Sequence, residues 1–226
     1  VLRWLRILLK SQSTATLKIS RWHKQRYKVT EKEKMIAGKV YNSQDSELVA
    51  ALNKSKSLCR QYNNLDFSNV AARKVIIDEL LQEEHNDGYC VFTPPFWCDY
   101  GFNVKVGKNF YSNHNLVILD CAEVTFGDNV FVGPNCGFYT AIHPIDAHQR
   151  NTGIELAKPI KVGSDVWFGG GVTVLPGVTI GNNVVIGAGS VVVKDIPSGV
   201  VAVGNPCKPI RKITEADKLD LDDPNI

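Results

Sequence analysis

From Val162 to Pro197 the apolar residues keep a period of six. The stretch divides into VGSDVW, FGGGVT, VLPGVT, IGNNVV, IGAGSV and VVKDIP. Each hexad opens on an aliphatic or aromatic residue: Val162, Phe168, Val174, Ile180, Ile186 and Val192. Four positions later comes a smaller one: Val166, Val172, Val178, Val184, Ser190 and Ile196. FGDNVF, VGPNCG and FYTAIH carry the pattern upstream to Phe126. VGKNFY, SNHNLV and ILDCAE begin it at Val106, with a two-residue slip before Phe126. A half-buried strand alternates with period two and a helix repeats near 3.6, so neither alone gives six. A short strand plus a tight turn does. Three such units close a triangular coil with its opening residues pointing inward, and stacked coils bury one another's apolar side chains. Glycine follows the opening residue in four of the six hexads, where a corner needs crowded or positive-φ backbone. The pattern predicts a mainly β protein, a parallel β-helix of hexapeptide repeats.

Residues 31–93 read differently. SELVAALNKSKSLCRQY carries Leu48, Ala51, Leu52 and Leu58 at helical spacing, and Asp45 or Ser46 can cap its start. SNVAARKVIIDELLQEEH repeats the arrangement from Ser68 with Val70, Val75, Leu80 and Leu81, and Pro94-Pro95 end the region. Two amphipathic helices need a surface, and the first coil of the solenoid offers one. The expected organisation is a basic leader (1–30), a helical cap (31–93), the β-helix (94–212) and a C-terminal tail (213–226).

Charge refines this picture. The net charge is +3, yet residues 1–30 hold eight Lys/Arg and no acid; the remainder has 18 basic against 23 acidic side chains, a net of −5. The body therefore has no nucleic-acid footprint. No apolar run approaches the roughly 20 residues of a membrane helix. The reading is a cytoplasmic protein, or a mitochondrial one if the leader, with Arg3, Arg6 and Lys10 set against Leu2, Leu5, Leu8 and Leu9, acts as a transit peptide. The six cysteines form no C-x-x-C pair and read as small buried hydrophobes.

The hexads lapse once, in FYTAIHPIDAHQRNTGIELAKPI between Phe138 and Val162. An excursion from a stiff scaffold is a natural place for chemistry. His143 stands at its start, and imidazole, with a reference pKa of about 6.5, supplies a neutral base near pH 7. Acyl transfer from a thioester to an alcohol needs such a base, an oxyanion donor and a site that holds both reactants. It needs no enzyme nucleophile, and the chain has no G-x-S-x-G elbow.

The motifs EKEKMIAGKVY, PPFWCDYG, NFYSNHN, TAIHPID, VWFGGGVTVLPGVTIG, VIGAGSVVVKDIP and GNPCKPIRKI together resemble the hexapeptide-repeat acyltransferases, most closely the maltose and galactoside O-acetyltransferases. The resemblance spans about residues 31–212. It implies a left-handed parallel β-helix with an N-terminal helical cap, a handedness that the usual right-handed crossover preference would not have given. It implies acetyl-CoA as co-substrate, no required metal, and a homotrimer with shared active sites. By the same resemblance His143 is the catalytic base; Glu155, placed in the same loop, is a candidate to orient its ring. Asp99, Tyr111 and Asn113 bind the acceptor. Asn113, Trp167, Gly170, Ala188, Val193 and Lys194 touch acetyl-CoA, and Lys208 and Arg211 lie near its phosphates. His148 and His114 border the pocket.

Three positions depart from the galactoside pattern: Ser43 and Cys121 replace acids, and Leu52 replaces a base. They favour a maltose- or glucose-type sugar acceptor over a galactoside. The alternatives are a non-sugar hydroxyl acceptor, a catalytically inactive binding scaffold, and a zinc enzyme resembling β-helix carbonic anhydrases, for which His143 and His148 have the five-residue spacing and His114 could be a third ligand.

Overall fold

The computed structural model describes residues 29–83 and 90–221. The basic leader up to Lys28 lies outside them. Three sheets form the walls of a triangular solenoid. The seven-stranded wall runs through Cys90–Phe92, Phe110–Ser112, Phe131–Val132, Val166–Phe168, Val184–Ile186 and Val200–Gly204, all parallel, and ends in the antiparallel Cys207–Lys212. The five-stranded wall holds Phe96–Cys98, Leu116–Leu119, Gly137–Tyr139, Thr173–Val174 and Val191–Val192. The four-stranded wall holds Val104–Val106, Val124–Phe126, Ile160–Val162 and Thr179–Ile180. The chain visits the walls in that order. The first corner joins the seven- and five-stranded walls; the second joins the five- and four-stranded walls. The parallel ladder starts at Cys90, earlier than the expected start at residue 94.

Register explains the period. Val166 pairs with Val184 and Thr173 with Val191, eighteen residues or three hexads apart. The six opening residues of the upper hexads, expected to point inward, are buried, and so are the six smaller residues four positions after them, from Val162 at 5% exposure to Ile186 at 0%. Ser190 belongs among them because its hydroxyl donates to the Gly187 carbonyl at 2.6 Å and accepts the Gly204 N–H at 3.0 Å. Further down, a ladder of rings fills the interior: Phe110–Phe126, Phe126–Phe138 and Phe138–Phe168 have centroids 5.1, 4.9 and 5.2 Å apart.

The glycines beside the opening residues are explained by crowding. A Cβ on Gly133 would lie 2.7 Å from the Gly169 carbonyl carbon of the next coil. The positive-φ position falls two residues later. There Asn129, Asn135, Asp165 and Asn183 take φ of 53–61°, as short polar side chains can. Asn109 donates to Asn129, and Asn129 to Asp165, each at 2.9 Å.

In the lower coils the partners are twenty residues apart, as in Tyr111–Phe131 and Val104–Val124. The extra residues fall in 99–103 and 119–123, both at the second corner. The third coil leaves the solenoid at the same corner over residues 140–159. This is why the sequence slips where it does.

The cap has three helices: α1 (Glu31–Ile36), α2 (Ser46–Asn63) and α3 (Val70–Leu81). Asp45 caps α2 by accepting the Glu47 N–H at 3.0 Å. Asn69 caps α3. Leu58, Cys59 and Tyr62 of α2 and Ile77, Leu80 and Leu81 of α3 share one core with Phe92, Phe96 and Cys98 of the first coil. Two expectations need correction. Val70 and Val75 are exposed, because α3 turns Arg73, Ile77, Leu80 and Leu81 inward instead. And α3 stops at Leu81, ahead of the prolines, because Gln82 takes a left-handed conformation at φ 54°.

Candidate active site

The excursion is a hairpin. Ala141–Ile142 pairs antiparallel with Ile154–Ala157, joining Ala141 to Ala157 and Ile142 to Leu156. Carried one residue further, this register sets His143 opposite Glu155. The His143 side chain is 59% exposed, and its Nδ1 lies 3.9 Å from Oε1 of Glu155, which is 16% exposed. That is an ion-pair distance rather than a hydrogen bond. Tyr41–Asn42 of the cap pairs with the outer edge of the same hairpin, Tyr41 against Glu155. The Tyr41 hydroxyl donates to Glu155 Oε2 at 2.7 Å. Burial above all, with the neighbouring Cys121 and Glu155, pushes the Tyr41 phenol far above its ordinary range, so it stays a donor. The hairpin's root is fixed by Thr140, whose hydroxyl donates to the Leu119 carbonyl at 2.6 Å and accepts the Ala122 N–H at 2.9 Å. Its tip is the short helix Ala147–Arg150, which carries an exposed His148.

Beneath the hairpin, the lower coils bring Asp99 and Cys121 together. The Cys121 thiol donates to Asp99 Oδ2 at 3.8 Å. Burial raises the Asp99 pKa, offset by Lys56 and that thiol. Asp120 is fully buried and holds the turn that carries Asp99: its carboxylate accepts the N–H groups of Asp99, Tyr100 and Asn103 at 3.0, 2.8 and 3.3 Å. Burial pushes its carboxyl up to about 6. Ser43 donates to the Gly153 carbonyl at 3.0 Å. Leu52 packs beside the cluster of Met35, Tyr41, Leu48, Tyr100 and Cys121.

A groove of about 540 Å³ lies at the first corner, lined by Tyr111, Asn113, Phe131, Pro134, Trp167 and Gly170 among others. Its floor is an outward row of the seven-stranded wall, in which Tyr111 pairs with Phe131 and Phe131 with Trp167. Phe131 is 50% and Trp167 57% exposed. The Asn113 amide oxygen accepts the His114 N–H at 2.7 Å, which leaves the NH2 to donate to a bound oxygen. Gly170 stacks under Ala188, its carbonyl accepting the Gly189 N–H at 2.9 Å. Such a corner, built from small residues, lets an extended chain lie against backbone.

The expected site residues thus fall on two corners. Asp99, His143 and Glu155 stand at the second, with Val193 and Lys194 further up the same edge. Asn113, Gly170 and Ala188 stand at the first, with Tyr111 and Trp167 on the wall leading to it. The fold does not bring Tyr111 and Asn113 to the Asp99 corner within one chain. His114 is likewise at the first corner, its Nδ1 bonded to the Pro94 carbonyl. Among the described residues, no group of three or more His, Cys, Asp or Glu side chains is placed to hold a metal ion, and no helix is long and apolar enough to cross a membrane. Lys208 and Arg211 lie on the antiparallel end strand. Arg211 pairs with Asp217 at 2.7 Å and holds that carboxyl down to about 2.

Sequence reasoning missed Tyr41 and Asp120. Both left a signal: Tyr41 ends the GKVY motif, and Asp120 is an acid set directly after an apolar run, at the slip.

Residues 34–84 match the family model described as the maltose acetyltransferase hexapeptide capping motif, and residues 159–194 match the bacterial transferase hexapeptide with six repeats. The yeast protein YJL218W (Saccharomyces cerevisiae), which carries an acetyltransferase name, is 50% identical over 190 residues, 82% of this chain and 94% of its own. The chain belongs to the maltose/galactoside O-acetyltransferase family. It is an acyltransferase built on hexapeptide repeats. A maltose O-acetyltransferase from Clostridium difficile 630 superimposes with a TM-score of 0.73 at 47% identity, covering 82% of this chain and 98% of that one. A galactoside acetyltransferase solved with coenzyme A gives 0.78 at 38% identity, covering 84% and 94%.

Proposed function

We propose that this acyltransferase moves an acetyl group from acetyl-CoA to a hydroxyl of a maltose- or glucose-type sugar, by direct attack with His143 as general base. The observation that carries the reading is the His143–Glu155 pair: an exposed ring at the root of the one excursion, facing a carboxylate with its Nδ1. That geometry leaves Nε2 for the acceptor. Nε2 takes the hydroxyl proton as the oxygen attacks, and His143 returns it to the departing thiol. The 3.9 Å separation closes as the site fills, since such contacts are commonly loose without substrate. The Asn113 NH2 donates to the oxygen that gains charge.

The sugar reading is supported by Asp99, a carboxylate for hydroxyl donors. At Cys121 and Leu52 the galactoside pattern's charges are replaced by groups that pack in one cluster where cap and solenoid meet. The 540 Å³ groove suits the pantetheine arm, with Trp167 along one side and the Gly170–Ala188 ladder beneath it. Because that groove and the His143 corner lie on different edges, the complete pocket forms between two copies, one supplying each edge, within a closed cyclic trimer.

The test is a thiol-release assay with acetyl-CoA and a panel of sugars, extended to serine and other alcohols. Maltose or glucose should give the highest kcat/KM. His143→Ala should lower kcat by about 10²–10⁴-fold. A variant that retained the wild-type rate, or a panel in which no acceptor turned over, would overturn the reading.

A further inference from the structure

The cap is tied to the hairpin by strand pairing and by two side chains, Ser43 and Tyr41, of which only Tyr41 reaches Glu155. Tyr41 is 1% exposed, its ring enclosed with Met35, Leu48, Tyr100, Cys121, Ala122 and Ala157. Its hydroxyl donates to Glu155 Oε2 at 2.7 Å, with the Cys121 thiol beside it. The short strand around it is held on both sides. Asn42 donates its N–H to the Glu31 carboxylate at 2.7 Å, and Ser43 donates its N–H to the Gly153 carbonyl at 3.1 Å.

A carboxylate has two oxygens and can present either one. In Glu155, Oε2 is occupied by Tyr41, so Oε1 faces His143 Nδ1. Once the 3.9 Å gap closes on a filled site, the facing oxygen accepts from Nδ1–H and thereby selects the tautomer with its lone pair on Nε2. The phenol is a suitable fixed donor because it is rigid, buried and protonated throughout the working range.

We infer that Tyr41 of the cap is a positioning residue for acetyl transfer, acting on His143 through Glu155. This rests on His143 being the base. The hydroxyl sets the carboxylate, the carboxylate sets the imidazole, and the imidazole meets the acceptor. The cap thereby contributes to turnover as well as to the shape of the pocket, although Tyr41 touches neither reactant.

A double-mutant cycle on the full-length enzyme tests this. Tyr41→Phe keeps the ring and removes one oxygen. It should lower kcat roughly tenfold while the KM for acetyl-CoA stays within about twofold. The decisive arm is the Glu155→Gln background. If Tyr41 acts only through Glu155, adding Tyr41→Phe there should change kcat by less than about twofold. A merely structural tyrosine would cost the same factor in both backgrounds. That result, or an unchanged kcat for Tyr41→Phe, would overturn the inference. Thermal unfolding of Tyr41→Phe separates instability from mispositioning: the midpoint should fall by no more than about 5 °C. Loss of activity in His143→Ala together with full activity in Tyr41→Phe would sink this inference alone. Full activity in His143→Ala would sink the reading on which it stands.

Discussion

At the scale of single residues, the buried polar groups decide most. Burial holds the Asp120 carboxyl up to about 6, above its ordinary 3.8. The folded chain therefore binds this proton more tightly than the unfolded chain does. The resulting stabilisation is complete below about pH 4 and is lost as pH rises through about 6. Its size is about 3 kcal/mol. Urea denaturation should show it: the stability of the wild type relative to Asp120→Asn should be smaller at pH 7 than at pH 4. The opposite trend would mean that the three N–H donors outweigh burial. Ser112 offers a simpler case. It occupies an inward position at 0% exposure, and its hydroxyl has no hydrogen-bond partner among the described residues. Ser112→Ala should raise stability by about 1 kcal/mol, read from the same denaturation curves.

Elements show what the hexad pattern could and could not reveal. The inward residues were legible because burial on one side of a short strand imposes its period directly. The glycines were legible as necessary, but their two roles were not separable. Adjacency to the opening residue marks crowding by the next coil, whereas left-handed backbone belongs two residues later. The difference is measurable. Gly133→Ala would drive its Cβ to 2.7 Å from backbone and should cost about 1–3 kcal/mol. Gly189 has φ +71° and nothing within 4 Å, so Gly189→Asn should cost less than about 1 kcal/mol. Equal losses in denaturation would contradict this division of labour. The helices were legible from their spacing, but the burial of α3 was not. Val70 and Val75 fit a stripe as well as Ile77 does, and which side packs depends on where the first coil's Phe92 and Phe96 stand. His143 and Glu155 were legible by motif, and their pairing is a consequence of hairpin register. Tyr41 was hidden because its partner lies more than a hundred residues away.

For the whole molecule, the division of the site between two corners is the central fact. Asn113, Trp167 and Gly170 address one groove, while Asp99, His143 and Glu155 address another edge of the same triangle. A solenoid cannot bend these edges together, since its interior is packed throughout by buried aliphatic and aromatic side chains. On the proposed function the complete pocket joins two copies, and sedimentation equilibrium should return a trimer. Mixing inactive variants tests the claim most directly. One carries His143→Ala, and the other carries Asn113→Ala with Trp167→Ala. Each should be inactive alone. Co-expressed and assembled at random, they should recover about a quarter of wild-type kcat, the share of interfaces that pair an intact histidine edge with an intact groove. Activity no greater than that of the two parents would contradict the shared site.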